Sequence, residues 1–383
     1  MNRIDYFKNN QRSHSKWVIP ATILTAFLLS ACLETNPETS PESNDDAETD
    51  PEDLTPEPQP ESEHSLHHPV DKNWRMVWSD EFENAAIDPA KWSYEQNCWG
   101  GGNNEQQCYT DQASNAFIED GALVIKAIKE DFTGPIANQE DPGFDPNNTQ
   151  TLPYTSARLR TLNKGDWRYG RFEIRAQLPA GQGTWPAIWM LPTDWVYGGW
   201  AASGEIDIME AVNLETQSDA DGAAPGTPEH RVHGTLHYGQ EWPDNVHSGT
   251  YYDFGTDESP ADGFHHYAIE WQSGEIRWYV DGQHYATQTD AGWYSQYPDP
   301  DTEELVIGSG SAPFNKPFHL ILNLAVGGNW AANVNERGID ADIFPQTMKV
   351  DYVRVYQCDV DAVTGAGCAT RDPDAETVAG NQP

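Results

Sequence analysis

The 383-residue chain carries 61 acidic against 22 basic side chains, a formal net charge of −39. Phosphate backbones are gripped by Lys and Arg, so this balance excludes nucleic acid and other polyanions as partners and leaves a solvating surface open to neutral ligands. Apolar residues make up 37% of the chain and Trp occurs 15 times, enough for a sizeable core with indole rings to spare for a ring-faced ligand.

At the N-terminus Arg3, Lys8, Arg12 and Lys16 precede the apolar run "VIPATILTAFLLSA", which has the form of a secretory signal and is too short to span a membrane. Leu29-Ser30-Ala31-Cys32 resembles a bacterial lipobox, in which the cysteine is lipidated on its sulfur and becomes the mature N-terminus. Residues 1–31 are therefore expected to be a lipoprotein signal peptide and Cys32 the lipidation site. Residues 32–69, with "LETNPETSPESNDDAETDPEDLTPEPQPESEHSLHHP", are acidic, Pro-rich and have almost nothing to bury. Such a segment is a disordered, self-repelling tether. The chain is expected to be exported to the outer membrane or cell surface, touching the membrane only through its lipid anchor.

Four further cysteines remain, Cys98, Cys108, Cys358 and Cys368. They permit three connectivities; the short spacings favour the local pairs Cys98–Cys108 and Cys358–Cys368, in keeping with an oxidising compartment. No CxxC pair or nearby His cluster has zinc spacing.

From about residue 70 to 368 short alternating segments recur: "WRMVWSDEF", "ALVIKAIK", "YGRFEIRAQLP", "EIDIMEAV", "RVHGTLHYG", "HHYAIEW", "EIRWYVDG", "FHLILNLAVGG" and "MKVDYVRVY". Period-2 patterning separated by Gly, Pro, Asn and Asp turns predicts an all-β fold, an antiparallel β-sandwich nearly free of helix. Asp281-Gly282 reads as a hairpin turn. In "VHGTLHYG" His233, Thr235 and His237 share one face. Residues 369–383 read as a loose polar tail.

The segment "SGEIDIMEA" places three carboxylates, Glu205, Asp207 and Glu210, within six residues of an otherwise apolar strand. A regular strand would turn Glu210 into the core, at high cost; one extra residue, a β-bulge at about Met209, brings it to the side of Glu205 and Asp207. The two Glu Cα atoms then lie about 13 Å apart, and side chains leaning inward approach the ~5–5.5 Å carboxyl separation of retaining glycoside hydrolysis. Three acids on one face cannot all ionise cheaply, so one keeps a proton at neutral pH, as an acid/base catalyst must.

"GEIDIMEAV" resembles the E-x-D-x-x-E signature of glycoside hydrolase family 16, in its laminarinase-like branch. "WSDEF", "GGGNNEQQCYT", "YTSARLRT", "YGRFEIRAQLPAGQGTWPAIWMLP", "VHGTLHYG", "FHHYAIEW", "PFHLILNLAVGGNW" and "VDYVRVY" follow in the family's order and cover nearly all of residues 74–356. The resemblance implies a concanavalin-like jelly roll with a substrate cleft on its concave sheet, and retaining endo-hydrolysis of β-1,3-glucan by double displacement. It implies Glu205 as nucleophile, Asp207 as its assistant and Glu210 as acid/base, with Trp185 and Trp189 stacking on sugar rings and Trp200 a further platform. His237, Asn104 and Arg158 match polar cleft positions. Catalysis would need no cofactor, although a structural Ca²⁺ held by Glu81, Gly121 and Asp351 is expected from the family. The partner would be a β-glucan polysaccharide and the chain a monomer. Alternatives within the resemblance are mixed-linkage β-1,3-1,4-glucan, a galactan, or a non-catalytic glucan-binding module.

Overall fold

Alternating side chains become strands with one face in a shared core. In Arg231–Tyr238 the residues Val232, Leu236 and Tyr238 are buried, whereas Arg231, His233, Thr235 and His237 alternate with them and stay partly accessible. The structure is a computed structural model that describes residues 73–382 apart from positions 140, 142 and 300. The expected signal segment, Cys32 and the acidic tether lie outside the described residues.

Two large sheets are present among the described residues. The central run of the 11-stranded sheet is Gln283–Thr289, Glu275–Val280, His265–Gln272, Gly170–Gln177, Gln346–Cys358 and Ala122–Pro135. The 8-stranded sheet is ordered Val246–Asp253, Arg231–Tyr238, Glu205–Glu210, Thr184–Pro192, Phe318–Val326, Arg158–Arg160 and Ser93–Tyr94, with Asp166–Trp167 also paired to Phe318–Val326. Neighbours are antiparallel except for two short parallel pairs, at Gln107–Tyr109 with Thr149–Ser156 and at Gln283–Thr289 with Glu376–Thr377. The single described α-helix is one turn, Gly328–Ala331. This is the expected antiparallel β-sandwich.

One apolar cluster joins the inner faces. Phe172, Ile174, Ile269 and Trp271 from the larger sheet meet Ile188, Met190, Ile206, Leu320 and Leu322 from the smaller. Each such fully buried side chain contributes about 1.5–3 kcal/mol. In Phe318–Val326 every residue is buried, but only Phe318, Leu320, Leu322, Leu324 and Val326 belong to the core cluster; Ile321 and Asn323 face the other way, onto the functional side.

The cysteines pair locally, Cys98–Cys108 and Cys358–Cys368. The second bridge launches the C-terminal segment, which is not the loose tail expected from its polarity. Glu270, on the outer face of the larger sheet, is fully buried between Arg171 (3.1 Å) and Arg277 (3.3 Å). Thr370 completes its shell, donating from its backbone N–H (2.9 Å) and hydroxyl (2.8 Å). Asp372 N–H then donates to His284 Nδ1, Val378 N–H to the Thr287 carbonyl, and Asn381 N–H to the Tyr238 hydroxyl. Buried charge must find partners, and this segment supplies them.

The two carboxylates expected to hold calcium carry guanidinium partners. Arg354 grips the Glu81 carboxylate (2.7 Å) and Arg175 grips Asp351 (2.8 Å), while Gly121 sits in an exposed turn.

Candidate active site

The extra residue in the carboxylate strand is Ile208. Against Thr184–Pro192 the register runs Met209↔Ile188 and then Asp207↔Trp189, so Ile208 has no opposite number. Against Arg231–Tyr238 it runs Asp207↔Thr235 and then Glu210↔His233, so that Ile208 and Met209 together oppose Gly234 alone. The bulge lets Ile206, Ile208 and Met209 all enter the core while Glu205, Asp207 and Glu210 share the opposite face. The expectation of a bulge holds, one residue earlier than Met209.

Each acid has its own surroundings. Trp200 donates from Nε1 to Glu205 Oε2 (2.8 Å), and Trp185 donates to Glu210 Oε1 (3.0 Å). His237 Nε2 lies 3.6 Å from Glu205 Oε1 and 3.4 Å from Asp207 Oδ2, ion-pair contacts to both. Asp207 is almost fully buried and its Oδ2 has no directed hydrogen bond. Among the described residues, Glu205, Asp207 and His237 form the one group of three or more acids and histidines in which a ligand atom from each lies within 4.8 Å of the others.

Burial, then the Asp207 charge, pushes Glu205 up to about 7 despite the opposing pull of His237, Trp200 and Arg158. The same two causes push Glu210 well above the ordinary carboxylate range, with weaker opposition. Burial pulls His237 down, but the contact with Asp207 and the charges of Glu205, Asp207 and Glu210 outweigh it and hold the ring at about 9. At neutral pH the site thus contains an imidazolium at His237, a carboxyl at Glu205 poised between its two forms with that cation beside it, and at Glu210 a carboxyl whose ionisation burial and the Asp207 charge oppose. Two carboxyls on one face, both held above their ordinary range and one of them beside a cation, are the equipment for proton transfer paired with nucleophilic attack.

Trp189 lies on the same face, its Nε1 donating to Asn323 Oδ1 (2.7 Å). The buried Arg158 guanidinium sits 5.2 Å from the Trp189 ring and 4.4 Å from Tyr109, braced by Glu95 (3.4 Å) and Glu105 (3.9 Å). It packs against the Trp189 ring and is a distant positive charge toward Glu205. Asn104, exposed on the loop that Cys98–Cys108 closes, donates to Asn329 Oδ1 (2.9 Å) at the one-turn helix.

That helix carries a residue the sequence patterns did not single out. Trp330 meets Trp185 edge-on (5.4 Å) and His233 (5.1 Å), walling the Glu210 end of the site. Burial, then the Arg231 charge, lowers His233 to about 4, so this ring is neutral where His237 is charged. The signal for Trp330 was its place in "AVGGNW", where Gly327 and Gly328 adopt positive φ and turn the chain straight from a buried strand into the helix.

Comparison with known proteins agrees with this geometry. Residues 102–352 match glycosyl hydrolases family 16. The chain is 40% identical over 297 residues to the glucan endo-1,3-beta-glucosidase A1 of Niallia circulans, covering 76% of this chain but only 39% of that protein. It is 41% identical over 291 residues to a beta-glucanase of Rhodothermus marinus, covering 74% of this chain and 86% of that one. The laminarinase structure from Rhodothermus marinus superposes with a TM-score of 0.55 at 38% identity, covering 76% of this chain and 98% of the other. The chain belongs to glycosyl hydrolases family 16, in its laminarinase-like branch.

Proposed function

We propose that the protein is a retaining endo-β-1,3-glucanase acting on laminarin-type glucans. The observation that carries the reading is the bulged strand, which sets Glu205 beside the His237 cation and brings Glu210, its carboxyl also held above the ordinary range, to the same face. In the first step the Glu205 carboxylate attacks the anomeric carbon while the Glu210 carboxyl gives its proton to the departing glycosidic oxygen. The product is a glycosyl ester on Glu205 and a carboxylate at Glu210. In the second step Glu210 takes a proton from water as its oxygen attacks the same carbon, releasing Glu205 and restoring the acid. Asp207 and His237 hold the nucleophile's orientation and charge; no cofactor enters. Trp185, Trp189 and Trp200 offer indole faces for sugar rings.

The reading is tested by reducing-end release from laminarin, lichenan, agarose and carrageenan side by side. Fastest release from laminarin is expected. Preference for lichenan would move the substrate to mixed-linkage glucan, and preference for agarose or carrageenan would move it to a galactan. Retention of laminarin without new reducing ends would make the protein a binding module.

We further propose that the enzyme is an exported lipoprotein anchored through Cys32 and acting as a monomer. The lipobox-like "LSAC", the acidic Pro-rich segment and two disulfides support export. A mature N-terminus lacking residues 1–31 and carrying acyl mass at Cys32 is the expected result of mass spectrometry.

A further inference from the structure

Glu205 and Glu210 must stand on opposite sides of the bond they cleave, and they stand along one strand with Asp207 between them. The substrate chain therefore crosses the strands, over Asp207. The register defines what lies beneath it on either side. Toward Thr184–Pro192 the partner of Asp207 is Trp189. In the other direction the row continues to Thr235 and then to Gly249 on the edge strand Val246–Asp253.

The rows flanking that floor are taller. One runs Glu205, His237, His247, the two histidine rings 5.5 Å apart. The other runs Glu210, His233, Tyr251, the last two rings 5.7 Å apart. On the edge strand His247, Gly249 and Tyr251 are exposed, while Val246 and Tyr252, of opposite parity, pack against the core. A glycine between an imidazole and a phenol makes a trough whose bottom is bare backbone. His247 and Tyr251 are four steps apart, about 13 Å between Cα atoms, and the trough extends two strand spacings, about 10 Å, beyond the carboxylate strand. That is room for about two sugar rings. Tyr251 is 47% exposed and rests on Arg231, whose guanidinium lies 5.3 Å from the ring. The phenol is thus held upright with a free face for a pyranose, and His247 offers ring nitrogens to hydroxyls.

We propose that the edge strand Val246–Asp253 carries an outer sugar-binding subsite, with Gly249 as floor and His247 and Tyr251 as walls, that grips glucan beyond the residue cleaved. The inference rests on the glucanase reading and on the continuity of this trough with the three carboxylates. It makes the enzyme favour long chains, because a short oligosaccharide filling the centre does not reach the edge strand.

The test is calorimetric titration of laminari-oligosaccharides of three and six sugars into Glu205→Gln, alone and combined with Tyr251→Ala, Tyr251→Phe or His247→Ala. The ratio of the three-sugar to the six-sugar Kd is expected to fall roughly fivefold to tenfold with Tyr251→Ala, the worth of one aromatic contact, and to recover with Tyr251→Phe. His247→Ala should lower it in the same sense. An unchanged ratio in both alanine variants overturns the subsite while leaving the glucanase reading intact. Failure of Glu205→Gln itself to bind either oligosaccharide overturns both. Both side chains are exposed, and unchanged thermal melts identify variants that fold normally.

Discussion

Replacing Glu205 by Gln should abolish activity and stabilise the fold, by an amount that depends on pH. Glu205 has a folded-state pKa of about 7 against an ordinary value of 4.5. Below about pH 4 the carboxyl is protonated in both folded and unfolded chains, and the shift has no effect. Between the two values the unfolded chain releases the proton while the folded one retains it, so stability falls as pH rises; above 7 the whole penalty is present. A rise from 4.5 to about 7 corresponds to roughly 3 kcal/mol, a net figure in which the attraction of His237 is already included. Trp200 can still donate to the amide oxygen. We expect a gain of about 1–3 kcal/mol at pH 8, which for a domain of this size is an increase in Tm of roughly 2–5 °C, and almost none at pH 4. Paired thermal melts at the two pH values make the measurement. A variant less stable than the parent at pH 8, or a Tm difference that does not change with pH, would refute the burial argument for Glu205.

Four further outcomes follow from the same geometry. Glu210→Gln should retain fold and glucan binding but lose roughly 10²–10⁴-fold in kcat on laminarin, measured by reducing ends. The profile of kcat/KM against pH should decline on the acid side near pH 7, as Glu205 takes up a proton, and His237→Asn should move that limb upward by removing the neighbouring cation. Trp185→Phe deletes the donor to Glu210 and should move the alkaline limb upward, because that hydrogen bond favours the ionised form. Ending the chain after Cys368 strips two hydrogen bonds from buried Glu270 and should lower Tm by roughly 5 °C, while the Cys358–Cys368 bridge still forms.

The strands and the clustering of the three carboxylates were legible because period-2 alternation is a local property. "EIDIMEA" announces an extra residue by the misfit of Glu210, whichever strands lie beside it. Its exact place was not legible: the register against Thr184–Pro192 decides that Ile208, and not Met209, is the unopposed residue. Trp330 and the bracing of Arg158 were hidden for a related reason. Trp330 reaches Trp185 from a strand terminus far along the chain, and Glu95, Glu105 and Tyr109 come to Arg158 from separate segments. The guanidinium partners of Glu81 and Asp351 were hidden in the same way, since Arg354 and Arg175 reach them across distant stretches of sequence. Residues 369–382 look unstructured only while the buried charge of Glu270 is ignored.

The C-terminal segment also has a bearing on the order of assembly. Its hydrogen bonds reach Glu270 and Thr287 in one sheet and Tyr238 and the His247 carbonyl in the other. It can settle only after strands of both sheets have found their register, so it is a late contact of high sequence separation and adds to unfolding barriers more than to folding rates. Amide exchange at Val378 and Asn381 would then report completion of the whole sandwich, since those N–H groups gain protection only when both sheets are closed.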